Sequence, residues 1–172
     1  VLGATALVVA ASGPARAQGN APLNVIVILA DDLGYGDLSS YGHPNIRTPH
    51  LDRMGAEGQR WTNFYAGAPV CSPSRAALLT GRLPVRTGVY RNEPLDTGAQ
   101  SGPGVFMNTA AAGLPLDEVT LAEMLKARGY ATALIGKWGL GEIGSEGEPA
   151  RHGFDYFYGF LNQTPAHNHY PD

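Results

Sequence analysis

The stretch "NVIVILADDLGYGD" limits what this chain can fold into more than any other. Its apolar run, Val25 to Ala30, is β-branched and too short for a helix, so it predicts a buried strand of a parallel sheet. The run breaks off at Asp31-Asp32 and a glycine-rich turn. Two carboxylates are thereby set at a strand's carboxyl end, where open α/β sheets place their ligands. A second apolar run, Tyr130 to Ile135, predicts another strand and delivers Gly136-Lys137 at its tip.

Helical signals separate these runs. In "TPHLDRMGAEG", Thr48 is the expected N-cap, Pro49 the first helical residue, Leu51 and Met54 one apolar face, and Gly58 the stop. Ser72 to Thr80 reads as a helix with Pro73 in its first turn and Gly81 at its end, so Cys71 falls at or just before its N-terminus. "TLAEMLKARG" carries a capping box from Thr120 to Glu123 and closes at Gly129. "QRWTNFYAG" suggests a further strand over Gln59 to Ala66, Arg91 to Pro115 reads as a long surface loop near the site, and no regular element is expected after His152. Alternating strands and helices predict an α/β fold, a mainly parallel or mixed sheet flanked by helices on both faces.

The first residues, "VLGATALVVAASGPARAQ", combine an apolar run to about Ala11, a Gly-Pro break and "ARA" before Gln18, which is the pattern of a secretory leader and its cleavage site. Residues 1–17 are therefore expected to be a leader remnant outside the fold, and 18–172 a portion of something longer. The apolar run is too short to span a bilayer, so no membrane span is expected once it is removed. Export to the periplasm or the medium follows. A net charge of −3, with 12 Lys and Arg scattered singly, offers no basic surface for nucleic acid. With one cysteine, an exported chain cannot close an internal disulfide, so Cys71 is a buried bystander, an intermolecular link or a chemically used thiol.

Taken singly, the candidate groups leave alternatives open. Asp31 and Asp32, with Asp37 close by, are hard oxygen donors suited to Ca²⁺ or Mg²⁺, or else an acidic turn. Cys71 at a helix N-terminus, with Arg75 one turn on, is a stabilised thiolate or an ordinary helix-cap cysteine. Lys137 binds an anion or is merely solvated.

Together, "DDLGYGD", "CSPSRAALLTGR" and "GYATALIGKW" resemble, in order and spacing, the type I sulfatase family, and the resemblance runs from Asn24 to the end. It implies the fold of the alkaline phosphatase superfamily and hydrolysis of a sulfate monoester, aryl or carbohydrate. It further implies that Cys71 is oxidised to Cα-formylglycine by a formylglycine-generating enzyme that reads C-x-P-x-R. The aldehyde hydrate would attack sulfur and form a covalent sulfo-enzyme. By the same resemblance Asp31, Asp32 and residue 71 hold Ca²⁺ (or Mg²⁺), Arg75 steadies the hydrate, and Lys137 contacts the sulfate.

One departure stands out: the family usually has His-Leu-Gly after Gly-Lys-Trp, and here Gly139-Leu140-Gly141 follows Trp138. Some bacterial sulfatases resemble this chain more closely, pairing "GKWGLG" with a stretch like Gly153 to Pro171. His167, ahead of His169, becomes the expected substitute base and substrate contact, and Gln163 is expected to face substrate. His43, His50 and His152 read as turn or surface residues. A phosphate or phosphonate ester hydrolase, or a sulfated-glycan-binding homologue without turnover, would share these motifs.

Overall fold

The computed structural model describes residues 6–9, 22–90 and 113–167. The chain forms two compact units, Val1–Ala66 and Gly67–Asp172.

In the first unit, strand β1 (Ala6–Val9) pairs antiparallel with β2 (Ile26–Leu29), in the register Ala6 to Leu29. β1 lies within the segment expected to be a leader. The expectation of a buried parallel strand at Val25–Ala30 is not met. Pairing is antiparallel, and Ile26 and Ile28 remain 61% and 51% exposed. The physical reason is the period of two: alternate side chains point to opposite faces, and burying both faces needs cover on both, whereas here only Val27 and Leu29 are half-buried.

Helix α1 (Pro49–Glu57) starts and stops where the residues indicate, with Gly58 N–H donating to Met54 O. Thr48 occupies the N-cap position, but its hydroxyl donates to Asp52 Oδ1 (3.0 Å) and does not cap the helix. Ser39, at the start of a short 3₁₀ turn (Ser39–Tyr41), donates to the other carboxylate oxygen of Asp52, and Ser39 Oγ accepts from Thr48 N–H. The Ser39 hydrogen bond, chiefly, holds the Asp52 carboxyl below its ordinary value. The strand expected over Gln59–Ala66 does not form. Trp61 instead stacks edge-on against Phe64 (5.7 Å) and its indole N–H donates to Gln59 Oε1, contacts that curl the segment locally rather than extending it.

The second unit contains helix α2 (Cys71–Thr80), a helical turn α3 (Pro84–Thr87), helix α4 (Leu121–Lys126), strand β3 (Ala133–Lys137), strand β4 (Tyr156–Phe160) and helix α5 (Gln163–His167). α2 begins at Cys71 and ends at Gly81, whose φ of +68° turns the chain left-handed and lets its N–H reach Ala77 O. Pro73 is tolerated because first-turn N–H groups have no partner within the helix. Both halves of the α4 capping box form: Thr120 N–H donates to Glu123 Oε2 (2.7 Å) and Glu123 N–H to Thr120 Oγ1 (3.2 Å). α4 stops at Lys126, and Ala127 to Gly129 continue as turns.

β3 and β4 run parallel, Ala133 opposite Tyr156 and Lys137 opposite Phe160. Strand β4 and helix α5 lie in the tail that offered no periodicity. The ladder continues past β3 through Trp138 N–H to Phe160 O and Gly139 N–H to Leu161 O, both 2.8 Å. Trp138, Leu140, Leu114, Val89 and Ala76 form the buried core, with Leu134, Phe154 and Phe157 packed on it. Trp138 meets Phe154 edge-on at 5.8 Å, and its indole N–H donates to Gly147 O, so its one polar atom is satisfied inside. His152, expected at the surface, is fully buried. Its Nε2 lies 3.0 Å from Leu114 O and 3.1 Å from Glu146 O, so the ring is used to pin two loop carbonyls. Most of the expected loop Arg91–Pro115 lies outside the described residues.

Candidate active site

Parallel pairing brings the carboxyl ends of β3 and β4 to the same edge of their sheet, so the groups that leave both strands converge. Lys137 is the last residue of β3. Its ammonium donates to Cys71 Sγ (3.3 Å) and lies 3.1 Å from Nε2 of His167 at the end of α5. An ammonium has no acceptor capacity, so this contact requires Nε2 to be the bare ring nitrogen, with the proton on Nδ1. Arg75, one turn into α2 from Cys71, donates through its guanidinium to Lys137 O and so ties the helix to the strand end. Cys71, Arg75 and Lys137 are half-buried and His167 is exposed, so one side of the cluster is open to a solute.

Four of the expected residues, Cys71, Arg75, Lys137 and His167, are therefore brought together in the second unit. Gln163 is placed differently from the expectation. It is fully buried, and its amide nitrogen donates to Ser72 Oγ (3.2 Å), so in this structure it faces α2. The glycine at 139 also acquires a reason. Its φ is +72°, and a Cβ there would fall on the Gln163 amide. A histidine at 139 would have to displace that amide and adopt a left-handed backbone. Ser72 and the Gly139–Gln163 fit were not singled out from sequence; the absent histidine was the available signal. His169 lies outside the described residues.

In the first unit, Asp31 and Asp32 leave β2 at its carboxyl end and are both exposed. Asp32 has φ +55°, a left-handed conformation that Asp tolerates better than most residues. Two carboxylates on consecutive residues form a donor set whose chemistry fits a hard divalent cation. Asp37 is not available in the same way. Its Oδ2 accepts from Gly34 N–H at 2.6 Å, closing the turn.

The family model described as Sulfatase matches residues 23–171. This chain belongs to the sulfatase family. It is 53% identical to arylsulfatase A of Bos taurus over 152 residues, which cover 86% of this chain and 27% of that protein. It is 45% identical to N-acetylgalactosamine-6-sulfatase of Sus scrofa, covering 91% of this chain and 29% of that one. Among solved structures it resembles Ps i-CgsB, with a TM-score of 0.66 and 34% identity over 77% of this chain and 27% of that chain. It also resembles the PsFucS1 sulfatase from Pseudoalteromonas sp., with a TM-score of 0.57 and 43% identity over 76% and 24%. The sulfatase chain described here thus spans about a quarter of the length of the curated relatives it matches. Its α/β character, with a small parallel sheet and flanking helices, agrees with the alkaline-phosphatase-like fold of its solved sulfatase neighbours.

Proposed function

We propose that this chain carries catalytic residues of a sulfuric ester hydrolase that cleaves a sulfate monoester of an aryl or carbohydrate alcohol. The observation that carries the reading is the Lys137 ammonium, 3.3 Å from Cys71 Sγ and 3.1 Å from His167 Nε2, with Arg75 bound to the same residue's carbonyl. A fixed cation beside residue 71 is what a sulfate ester needs, because negative charge develops on its oxygens during transfer. The names of relatives, arylsulfatase A, steryl-sulfatase and N-acetylgalactosamine-6-sulfatase, support the same reaction class. The 172-residue chain by itself is expected to be without turnover, since those relatives are several times longer.

Residue 71 is proposed to be Cα-formylglycine in the active protein, made by a formylglycine-generating enzyme from Cys71 in "CSPSR". Asp31 and Asp32 are assigned on their motif as carboxylate ligands of Ca²⁺, or of Mg²⁺ in its place. The modified residue would supply a hydroxyl nucleophile and the cation would polarise sulfate oxygens. This chain's own residues do the rest. Lys137 attracts the ester's anionic oxygens toward residue 71. Arg75 holds the strand end that carries Lys137. His167 stands at the open side of the lysine and would take up a proton at Nε2 as sulfate leaves, giving up its bond from Lys137. Export is part of the reading, on the leader-like start of the sequence. Among the described residues no helix is long and apolar enough to cross a membrane.

The test combines mass and rate in the full-length protein made with the modifying enzyme. The tryptic peptide Trp61–Arg75 should be lighter than its thiol form and react with a hydrazine probe, and aryl sulfate should be hydrolysed faster than aryl phosphate or phosphonate. His167→Ala should lower kcat by about 10² or more while that peptide stays modified. An unmodified thiol in fully active protein overturns the assignment of residue 71. Preference for the phosphorus ester makes the protein a phosphate or phosphonate hydrolase, and modified protein that binds sulfated glycan without turnover makes it a binding homologue.

A further inference from the structure

We propose that Gln163 is a positioning residue for residue 71, acting through Ser72, and that Gly139 provides the space it needs. The inference rests on the sulfatase reaction proposed above and adds a role that the reaction alone does not assign. Backbone pairing of Gly139 N–H with Leu161 O sets Gln163 two residues beyond the paired position, and its side chain turns back over Gly139. A Cβ at 139 would strike the amide nitrogen, with Gln163 Cδ at 3.2 Å and Arg75 Cδ at 3.6 Å. The amide donates to Ser72 Oγ, and Ser72, itself fully buried, is the second residue of α2, next to Cys71.

Packing alone does not account for an amide in this slot. Gln163 Oε1 is buried and accepts no hydrogen bond, which costs stability that an apolar side chain of equal volume would not lose. What the amide adds is a directional bond to the first turn of the helix that presents residue 71. With Ser72 held from one side and Arg75 bonded to Lys137 O on the other, that turn cannot rotate away from the lysine. Misplacing a reacting group by about 1 Å can cost about 10² in rate. Since Gln163 acts one residue away, the expected cost of losing its bond is about tenfold.

Gln163→Met keeps the volume and removes the bond. In the full-length, modified enzyme it should lower kcat about tenfold, leave KM within about twofold, leave formylglycine content unchanged, and melt no lower than wild type. Ser72→Ala, with rates normalised to the modified fraction, should show the same kcat loss, and the double variant should be no slower than either single one. Gly139→Ala should also slow turnover, because its methyl displaces the amide. An active wild type with an undiminished Gln163→Met variant, or a double variant whose losses multiply, overturns the role of Gln163 and leaves the sulfatase reaction standing. A wild type that hydrolyses no sulfate ester removes the reaction and this role with it.

Discussion

Deleting the charge at Lys137 is the perturbation that bears most directly on the chemistry. Its ammonium is 3.3 Å from Cys71 Sγ, close enough to stabilise negative charge that develops on a group transferred to residue 71. Lys137 is only half-buried, so solvent and salt reduce this. Removing one preorganised electrostatic donor from an active site costs about 3 to 4 kcal/mol, which corresponds to a fall in kcat of about 10² to 10³. Lys137→Met is the cleaner variant, because it keeps an unbranched side chain and loses only the ammonium. The tie between α2 and β3 survives it, since Arg75 donates to the main-chain oxygen of residue 137. The assay is steady-state hydrolysis of an aryl sulfate by the full-length enzyme, normalised to the formylglycine content of the Trp61–Arg75 peptide. Lys137→Arg should not restore the rate, because a planar fork cannot replace a point charge that reaches both residue 71 and His167. If Lys137→Met, fully modified at 71, retains kcat within about threefold of wild type, the lysine is only a solvated neighbour and the electrostatic argument fails.

Two further outcomes follow from the scaffold of the second unit. Thr120→Ala removes the cap of α4 and the bond from Thr120 Oγ1 to His152 O (2.8 Å), in a fully buried site, so denaturant melts should show a loss of about 2 to 4 kcal/mol, and Thr120→Ser should recover most of it. Asp155 is held down to about 2 from an ordinary 3.8, first by its hydrogen bond with Lys126 and then by Thr132 N–H. A lowered folded-state value stabilises the fold above the ordinary pKa. That contribution should be lost as pH falls from 3.8 towards about 2, and Asp155→Asn should flatten the acid limb of thermal melts over the same window.

Local signals in the sequence placed α1, α2 and α4. Thr120 and Glu123 satisfy each other's N–H groups within one turn, Gly81 ends α2 by going left-handed, and Pro73 is harmless only in a first turn, so each boundary is decided by residues a few positions apart. The sulfatase motifs, and with them Cys71, Arg75 and Lys137 as one group, were legible for the same reason: each is a short run of residues. Strands were less legible. The run at Val25–Ala30 states only that its residues are apolar and extended; the partner that pairs with it decides direction and burial.

The tertiary structure alone decided the rest, because those contacts join residues far apart along the chain. His167 reaches Lys137 only because β3 and β4 are parallel and α5 follows the carboxyl end of β4, and nothing periodic in the tail announces β4 or α5. Gln163 reads as a substrate-facing residue until the missing Cβ of Gly139 is seen to give its amide a buried slot against Ser72. His152 reads as a turn residue until two backbone carbonyls, at Leu114 and Glu146, are found converging on its ring. A hydrogen bond between distant residues depends on where the whole chain places its donors and acceptors, and that placement is a property of packing that no short window of sequence contains.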